Sequence, residues 1–197
     1  MTKSKFLICA GLMLIAAALS VLGYDAAVSM RAEKASQQVL LQLNSAVSHQ
    51  APPPEIPVLS GSGLEQGPPS VEIGGNEYIG VLEIPALDLH LPVMADWDYE
   101  KLKIAPCRYS GALDRGDLII SAHNYRAHFG NLKELAVSDR VDFQELDGNR
   151  YSYAVTRIEL LDASAVKQME TGEWDLTLFT CTSDGAARIA VRCELKD

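Results

Sequence analysis

Short apolar runs separated by turn-forming residues dominate the chain from about residue 72 onward. Their lengths and composition are typical of β-strands. Asp147-Gly148 between two of the runs predicts a hairpin turn, and Phe129–Leu135 predicts one or two helical turns. The predicted strands are Tyr78–Ile84, Leu89–Val93, Leu118–Ser121, Arg140–Leu146, Tyr151–Leu160, Leu176–Cys181 and Ala187–Leu195. Seven or eight strands with few helices predict an all-β fold, a closed or nearly closed barrel with short helices over 72–197.

The N-terminus has a different pattern. Phe6–Tyr24 is an uncharged, apolar run of nineteen residues, which as a helix would span about 28 Å, close to the bilayer core of about 30 Å. Lys3 and Lys5 before it, with Asp25 after it, favour a cytoplasmic N-terminus and an extracellular remainder. A cleaved signal peptide is the alternative, but Ala16–Ala18 lies inside the run and does not follow it. We therefore predict a cytoplasmic tail at 1–5 and a single transmembrane anchor at 6–24 in the cell membrane.

The segment that follows is polar and then irregular. Residues 25–50 are rich in Ala, Gln, Glu, Lys and Leu, which predicts a helical stalk. Pro52–Pro54 ends any helix, and further Gly and Pro residues continue as a linker. We predict that 25–71 is a stalk and linker that holds the folded head away from the membrane and carries no chemistry.

Charge excludes one class of function. The 197-residue chain has a formal net charge of −9, which gives no electrostatic support for binding nucleic acid. The sequence also contains no Gly-rich phosphate loop and no Cys/His cluster with metal-ligand spacing. No cofactor and no metal site are predicted.

Three residues form a candidate nucleophilic site. Cys181 ends one predicted strand, Arg188 begins the next, and His123 follows the strand Leu118–Ser121. A thiol can act as a nucleophile, an imidazole can move its proton, and a guanidinium can stabilise an oxyanion. Alternation along the last strand puts Arg188 and Arg192 on the face opposite its apolar residues, and a short loop allows Cys181 to share that face with Arg188.

Two further cysteines lie in the predicted barrel. Cys193 falls on the apolar, core-facing side of the last strand, and Cys107 follows Ile104–Pro106. An exported domain tolerates disulfides. We predict a disulfide between Cys107 and Cys193, and two separately buried thiols are the alternative.

Several segments together resemble one enzyme family. Thr177–Cys181 is similar to the Thr-Leu-x-Thr-Cys signature of sortases, the cell-wall transpeptidases of Gram-positive bacteria. The other similar segments are Gly80–Pro85 with Leu91–Val93, Ala122–Tyr125 with His128–Leu132, Gly148–Tyr153 and Arg188–Val191. The resemblance covers 75–197, and the arrangement of anchor, linker and barrel is similar as well.

The resemblance implies a role for each residue of the candidate site. Cys181 would form a thioester acyl-enzyme, His123 would be the general acid and base, and Arg188 would stabilise the substrate carbonyl and oxyanion. Arg188 is preferred to Arg192 because the family arginine begins the final strand. Thr180 would position the substrate or the oxyanion, or be an ordinary strand residue.

Other features bear on specificity. His128 and His90 are rivals of His123, although His90 has apolar neighbours that favour a structural or surface position. Ala122 stands where many sortases have glycine, for which we expect a packing effect only. The interval from Cys181 to Arg188 is short, and no aromatic lid segment precedes the barrel. The missing lid favours protein anchoring over pilus assembly.

The resemblance implies a membrane-anchored cysteine transpeptidase that needs no cofactor. Its partners would be secreted proteins with a C-terminal sorting signal of the Leu-Pro-x-Thr-Gly type and an amine of a peptidoglycan precursor. A non-catalytic peptide-binding barrel and a thiol hydrolase that only cleaves remain as alternatives.

Overall fold

The computed structural model describes residues 2–49 and 69–196, so that most of the predicted linker lies outside the described residues. The helices are α1 (Thr2–His49) and α2 (Val166–Glu170), with 3₁₀ turns at Pro85–Leu87, Lys101–Lys103 and Leu132–Glu134. The strands are β1 (Val71–Ile73), β2 (Asn76–Ile84), β3 (Leu89–Met94), β4 (Cys107–Ser110), β5 (Leu118–Ser121), β6 (Arg140–Glu145), β7 (Arg150–Asp162), β8 (Leu176–Cys181) and β9 (Ala187–Leu195).

Eight of these strands close into a barrel. Their order is β2-β3-β4-β5-β8-β9-β7-β6, and pairing of β2 with β6 completes the ring, while β1 extends the edge of β2. The closing seam is tight at Gly80, where an added Cβ would collide with the Gln144 carbonyl oxygen. The predicted all-β barrel with short helices is confirmed.

The strands that the sequence predicts agree with the observed ones within a few residues. Strands β1 and β4 and helix α2 were not predicted. All three are short, and the two strands contain too few residues for alternation to be visible. The helical segment predicted over Phe129–Leu135 is reduced to the 3₁₀ turn Leu132–Glu134.

Apolar side chains pack in three clusters. The largest fills the barrel, with Leu82, Ile120, Phe143, Leu178 and Val191 fully buried at its centre. A second cluster lies between the barrel and α1, and a third covers the outer face of β5, β8 and β9 beneath α2. The third cluster matters most for function because it includes Phe179, two positions before Cys181 on the same face of β8.

Helix α1 is docked on the barrel over its C-terminal half. Ala32, Ser36, Leu40 and Leu43 are buried, and their spacing of three or four residues defines one face of a helix. Leu43 packs in the second cluster, and the Ser36 hydroxyl donates a hydrogen bond to the Ile104 carbonyl at 3.3 Å. The part of the stalk at 32–43 is therefore packed against the barrel. That 25–71 holds the head away from the membrane stays a prediction.

The N-terminal half of α1 exposes its apolar side chains. Leu12, Met13, Leu14, Ile15 and Leu19 are each more than half exposed. Across the part of the chain that the structure describes, no helix is long and apolar enough to cross a membrane.

Candidate active site

Strands β5 and β8 bring His123 next to Cys181. They are parallel and paired from Leu118 opposite Leu176 to Ser121 opposite Phe179, and the same offset continued by two residues places His123 opposite Cys181. Hydrogen bonds on either side of that position maintain the alignment.

These two flanking hydrogen bonds involve Thr180 and Asn124. The Thr180 hydroxyl donates to the Ala122 carbonyl at 2.9 Å, and the Asn124 side-chain amide donates to the Thr182 carbonyl at 3.4 Å. Thr180 is buried on the core side of β8, away from Cys181, and Ala122 packs in the main cluster. The structure therefore gives the Thr180 hydroxyl a partner in the backbone that carries His123.

Strand β9 places Arg188 directly across from Cys181. The two residues are partners in the antiparallel β8–β9 pair, so their side chains lie on the same face of the sheet. The intervening turn is compact because the Asp184 carboxylate accepts hydrogen bonds from the Thr182 hydroxyl and the Ala186 amide. The structure thus places Cys181 and Arg188 on one face of the sheet, as strand alternation allowed.

The guanidinium of Arg188 makes only two hydrogen bonds among the described residues. Its Nη1 donates to the carbonyls of Gly185 at 3.3 Å and Ala187 at 3.1 Å, and no other acceptor for it occurs among the described residues. The side chain is half-buried at the rim of the site. It therefore has donor groups available for a ligand.

Cys181, His123 and Arg188 line one pocket of about 510 Å³. The pocket lies over the outer face of β8, between the loop after β3 and the segment around α2. Its apolar lining is formed by Trp97, Tyr109, Val166, Met169 and Phe179. A small set of polar groups at the edge of a largely apolar pocket is the usual arrangement of a site that binds an organic ligand.

Asn124 orients the His123 ring. The Nδ1 of His123 lies 2.9 Å from the Asn124 side-chain oxygen, and this oxygen is identified because the amide nitrogen donates to Thr182. Nδ1 is therefore the protonated nitrogen of the neutral ring, and Nε2 can accept a proton. Burial lowers the pKa of His123, the hydrogen bond that Nδ1 donates to Asn124 opposes this shift, and the nearby Lys103 cation adds to it. Sequence reasoning did not assign a role to Asn124, although the residue directly follows His123.

Arg192 is a structural residue and not a second site arginine. Its side chain is 2 % exposed and forms an ion pair with Glu159 at 2.8 Å. It also donates to the Thr177 hydroxyl and to the carbonyls of Gln168 and Met169 at the end of α2. Four of its five N–H donors are used within the fold, which favours Arg188 for the site.

The two rival histidines are placed differently. His90 is exposed on β3, opposite Glu83, in agreement with the surface position that its surroundings favoured. His128 is fully buried, and within the described part of the chain neither of its ring nitrogens has a hydrogen-bond partner. Burial, together with the nearby His123, lowers the pKa of His128 to about 4.

This shift predicts a loss of stability in acid. Because the folded pKa of about 4 lies below the ordinary value of 6.5, the unfolded chain binds more protons between these limits. Stability is therefore complete above about pH 6.5 and declines as the pH falls to about 4, by about 3 kcal/mol. Urea unfolding of wild type and His128→Leu across this range measures the difference, and the leucine variant should lose this part of the slope. His90→Leu is the matched control. The lowered pKa of His123 leaves a smaller slope in both variants, so a slope as steep in His128→Leu as in the wild type contradicts the prediction.

The predicted disulfide is absent. Cys107 and Cys193 are free thiols, buried in different clusters. Strands β5 and β8 lie between β4 and β9, a separation of roughly 14 Å across the sheet against a limit of about 7 Å between bridged Cα atoms. Burial raises the pKa of each thiol to about 12. Of the three cysteines whose side chains are described, only Cys181 is partly accessible.

Gly130 packs behind the histidine segment. An added Cβ would come within 2.7 Å of the Asn124 carbonyl oxygen and 2.8 Å of that of Tyr125. The loop 124–130 folds back on itself here, with the Gly130 amide donating to the Tyr125 carbonyl at 2.9 Å. A residue without a side chain is required for this close approach.

Comparison with known proteins identifies the domain. The model of the sortase-domain family matches residues 82–196. No curated protein sequence matches the chain.

Solved structures share the fold. Sortase A from Corynebacterium diphtheriae superimposes with a TM-score of 0.54 at 22 % identity, covering 62 % of each chain. A Clostridium perfringens sortase D5 transpeptidase gives 0.54 at 20 % identity, covering 62 % of this chain and 81 % of that one. Clostridium perfringens sortase C, solved with the C-terminal cell wall sorting motif, gives 0.54 at 22 % identity, covering 62 % and 72 %. The chain thus spans less than two thirds of the length of that sortase A, and at these identities the likeness shows the fold.

Proposed function

The chain belongs to the sortase family, and on this premise we propose that it is a cysteine transpeptidase with Cys181 as its nucleophile. The observation that carries the proposal is the position of Cys181, His123 and Arg188 in one pocket, on one face of the sheet. Cys181 is also the thiol that a substrate could reach, because Cys107 and Cys193 are buried.

The proposed reaction proceeds in two acyl transfers. The Cys181 thiolate attacks the carbonyl carbon of the scissile peptide bond, and Arg188 stabilises the negative charge on the oxygen. The imidazolium of His123 then donates its Nε2 proton to the departing amine as the C–N bond breaks, leaving a thioester on Cys181. An incoming amine attacks the thioester, gives up its proton to Nε2, and releases Cys181 as the new amide forms.

We assign the substrate class from the family. The donor is the C-terminal sorting signal of a secreted protein, of the Leu-Pro-x-Thr-Gly type, and the acceptor is an amine of a peptidoglycan precursor. The solved Clostridium perfringens sortase C with a cell wall sorting motif supports this class of donor. Structural relatives include sortases named A, C and D, and the absence of an aromatic lid before the barrel favours protein anchoring over pilus assembly.

We also propose that the enzyme is anchored in the cell membrane by 6–24, with 1–5 in the cytoplasm and 72–197 outside. The support is the uncharged run Phe6–Tyr24, preceded by Lys3 and Lys5, and the exposed apolar side chains at 12–15 in α1. Fractionation of cells that produce the full chain, with carbonate and detergent extraction, tests this part. Release by carbonate alone would contradict it.

Mass spectrometry tests the central proposal. The full chain is incubated with a library of peptides that contain Leu-Pro-x-Thr-Gly variants, and the protein mass is measured. An adduct equal to the peptide segment before the cleaved bond supports acyl transfer. If no peptide of the library forms an adduct, the result would instead favour the peptide-binding barrel.

An acceptor amine then separates transpeptidase from hydrolase. Addition of glycine peptides or a diaminopimelate-containing peptide should convert the thioester into a ligated product. If only the hydrolysed acid accumulates at every acceptor concentration, the enzyme is a thiol hydrolase.

Arg188 should affect rate more than stability. Loss of a donor that stabilises an oxyanion costs about 10²-fold in rate, so Arg188→Gln is expected to lower kcat/KM for acylation by about this factor. Arg188→Lys should retain part of the activity because it keeps the charge but loses the planar fork. Arg157→Gln, at an exposed arginine on β7 outside the pocket, is the control. Equal rates for Arg188→Gln and wild type would remove Arg188 from the mechanism.

A further inference from the structure

Two tyrosine rings lie close to the imidazole of His123. Tyr125 stacks on it with ring centroids 3.9 Å apart and an angle of 10° between the planes. Tyr99, from the loop after β3, approaches with its ring centroid at 6.4 Å and a tilt of 59°. Neither tyrosine was identified from the sequence.

The stacking geometry suits a charged ring better than a neutral one. Neutral aromatic pairs prefer offset or edge-to-face arrangements with centroids about 4.5–7 Å apart. His123 and Tyr125 are closer than this and nearly parallel, so the negative face of the phenol covers the imidazole. A cation over the face of an aromatic ring is attracted by its quadrupole.

The other groups around His123 do not supply negative charge. Lys103 is a nearby cation, His128 is neutral and buried, and Arg188 lines the same pocket. The carboxylates of Asp162 and Asp184, which also line the pocket, accept hydrogen bonds within their own turns. The Glu100 carboxylate is paired with Lys103. Besides the Cys181 thiolate and the Asn124 oxygen, the tyrosine faces are the groups that can stabilise a protonated His123.

We propose that Tyr125 is a positioning residue that stacks on His123 and stabilises its imidazolium form, with Tyr99 as a second, more distant ring. The proposal rests on the function proposed above, in which the imidazolium protonates the leaving amine. Tyr125, two positions after His123, would thus offset the effects of burial and of the Lys103 cation, which both disfavour the charged imidazole.

Nuclear magnetic resonance titration of His123 tests the proposal without any turnover. The Cys181→Ala background removes the neighbouring thiol, and the His123 signal is identified by its loss in His123→Gln. Tyr125→Leu is expected to lower the pKa of His123 by about half a unit to one unit, a three- to tenfold change in the protonation equilibrium. Tyr125→Phe should restore the wild-type value, because the ring face is retained.

The sign of this shift separates stacking from simple packing. If Tyr125 only shields His123 from water, its removal relieves desolvation and raises the pKa. A raised or unchanged pKa in Tyr125→Leu therefore overturns the proposal. Tyr151→Leu, at a tyrosine outside the pocket, is the control and should leave the His123 titration unchanged.

A second variant tests the same proposal if Tyr125→Leu does not fold. Replacement of Tyr125 with pentafluorophenylalanine keeps the shape of a phenyl ring and reverses its quadrupole, so the pKa of His123 should fall below that of Tyr125→Phe. Equal values for these two isosteric rings would refute the electrostatic role. Because the titration needs no substrate, its result stands whether or not the acyl-enzyme is found.

Discussion

Cys181→Ala is expected to abolish formation of the acyl-enzyme and to lower peptide cleavage by more than about 10⁴-fold. The reason is chemical, since the methyl group of alanine cannot form a thioester and no second thiol lines the pocket among the residues that the structure describes. The loss should occur without unfolding, because the side chain is only half-buried at the end of β8. The measurement is intact-protein mass spectrometry with the peptide identified in the library, together with a thermal melt.

Cys193→Ala provides the matched control for this prediction. It removes a thiol from the same barrel, twelve positions along the chain, whose side chain is fully buried in the core. We expect it to cost about 1 kcal/mol of stability and to retain the peptide adduct. An adduct that still forms in Cys181→Ala would reject Cys181 as the nucleophile.

Arg192→Leu should be the most destabilising of the substitutions considered. It leaves the Glu159 carboxylate with only the exposed Arg157, at 3.5 Å, and it removes the donors from which the Thr177 hydroxyl and two α2 carbonyls accept hydrogen bonds. Breaking a buried ion pair on one side costs roughly 3–5 kcal/mol. Urea denaturation of the wild type and the variant measures this difference.

Arg188→Leu is the control on the same strand. Its guanidinium contacts only two carbonyls among the described residues, so the same substitution there should cost less than about 1 kcal/mol. Equal losses of stability in Arg192→Leu and Arg188→Leu would contradict the assignment of Arg192 to the structure and of Arg188 to the site.

The two-residue alternation of apolar and polar side chains predicted the barrel, because most of its strands are long enough to show this alternation. Residues on β8 and β9 alternate between the core and the outer face, and this alternation alone allowed Cys181 to lie beside Arg188. It could not set apart Arg188 from Arg192, which lie on the same face. The distinction depends on α2, whose five residues bring the Gln168 and Met169 carbonyls over β9 and which no sequence pattern indicated.

Other features depend on contacts between segments that are distant in sequence. The docked face of α1 uses Ala32 and Ser36 as well as Leu40 and Leu43, and small or hydroxylated residues give little amphipathic signal. The stacking of Tyr125 on His123 is likewise a matter of loop geometry. The disulfide prediction failed because the sequence contains no information on how many strands separate Cys107 from Cys193.

The docking of α1 on the barrel limits the distance between the candidate site and Tyr24, the last residue of the apolar segment. The hydroxyl of Ser29 accepts a hydrogen bond from the Ala127 amide, in the loop that follows His123, at 3.1 Å. Ser29 is only five residues after Tyr24, an axial rise of about 7.5 Å along a helix. With 6–24 in a membrane, as proposed, the loop that follows His123 would lie within one or two helical turns of the lipid surface. The candidate site would then meet peptides held close to the bilayer before peptides free in solution.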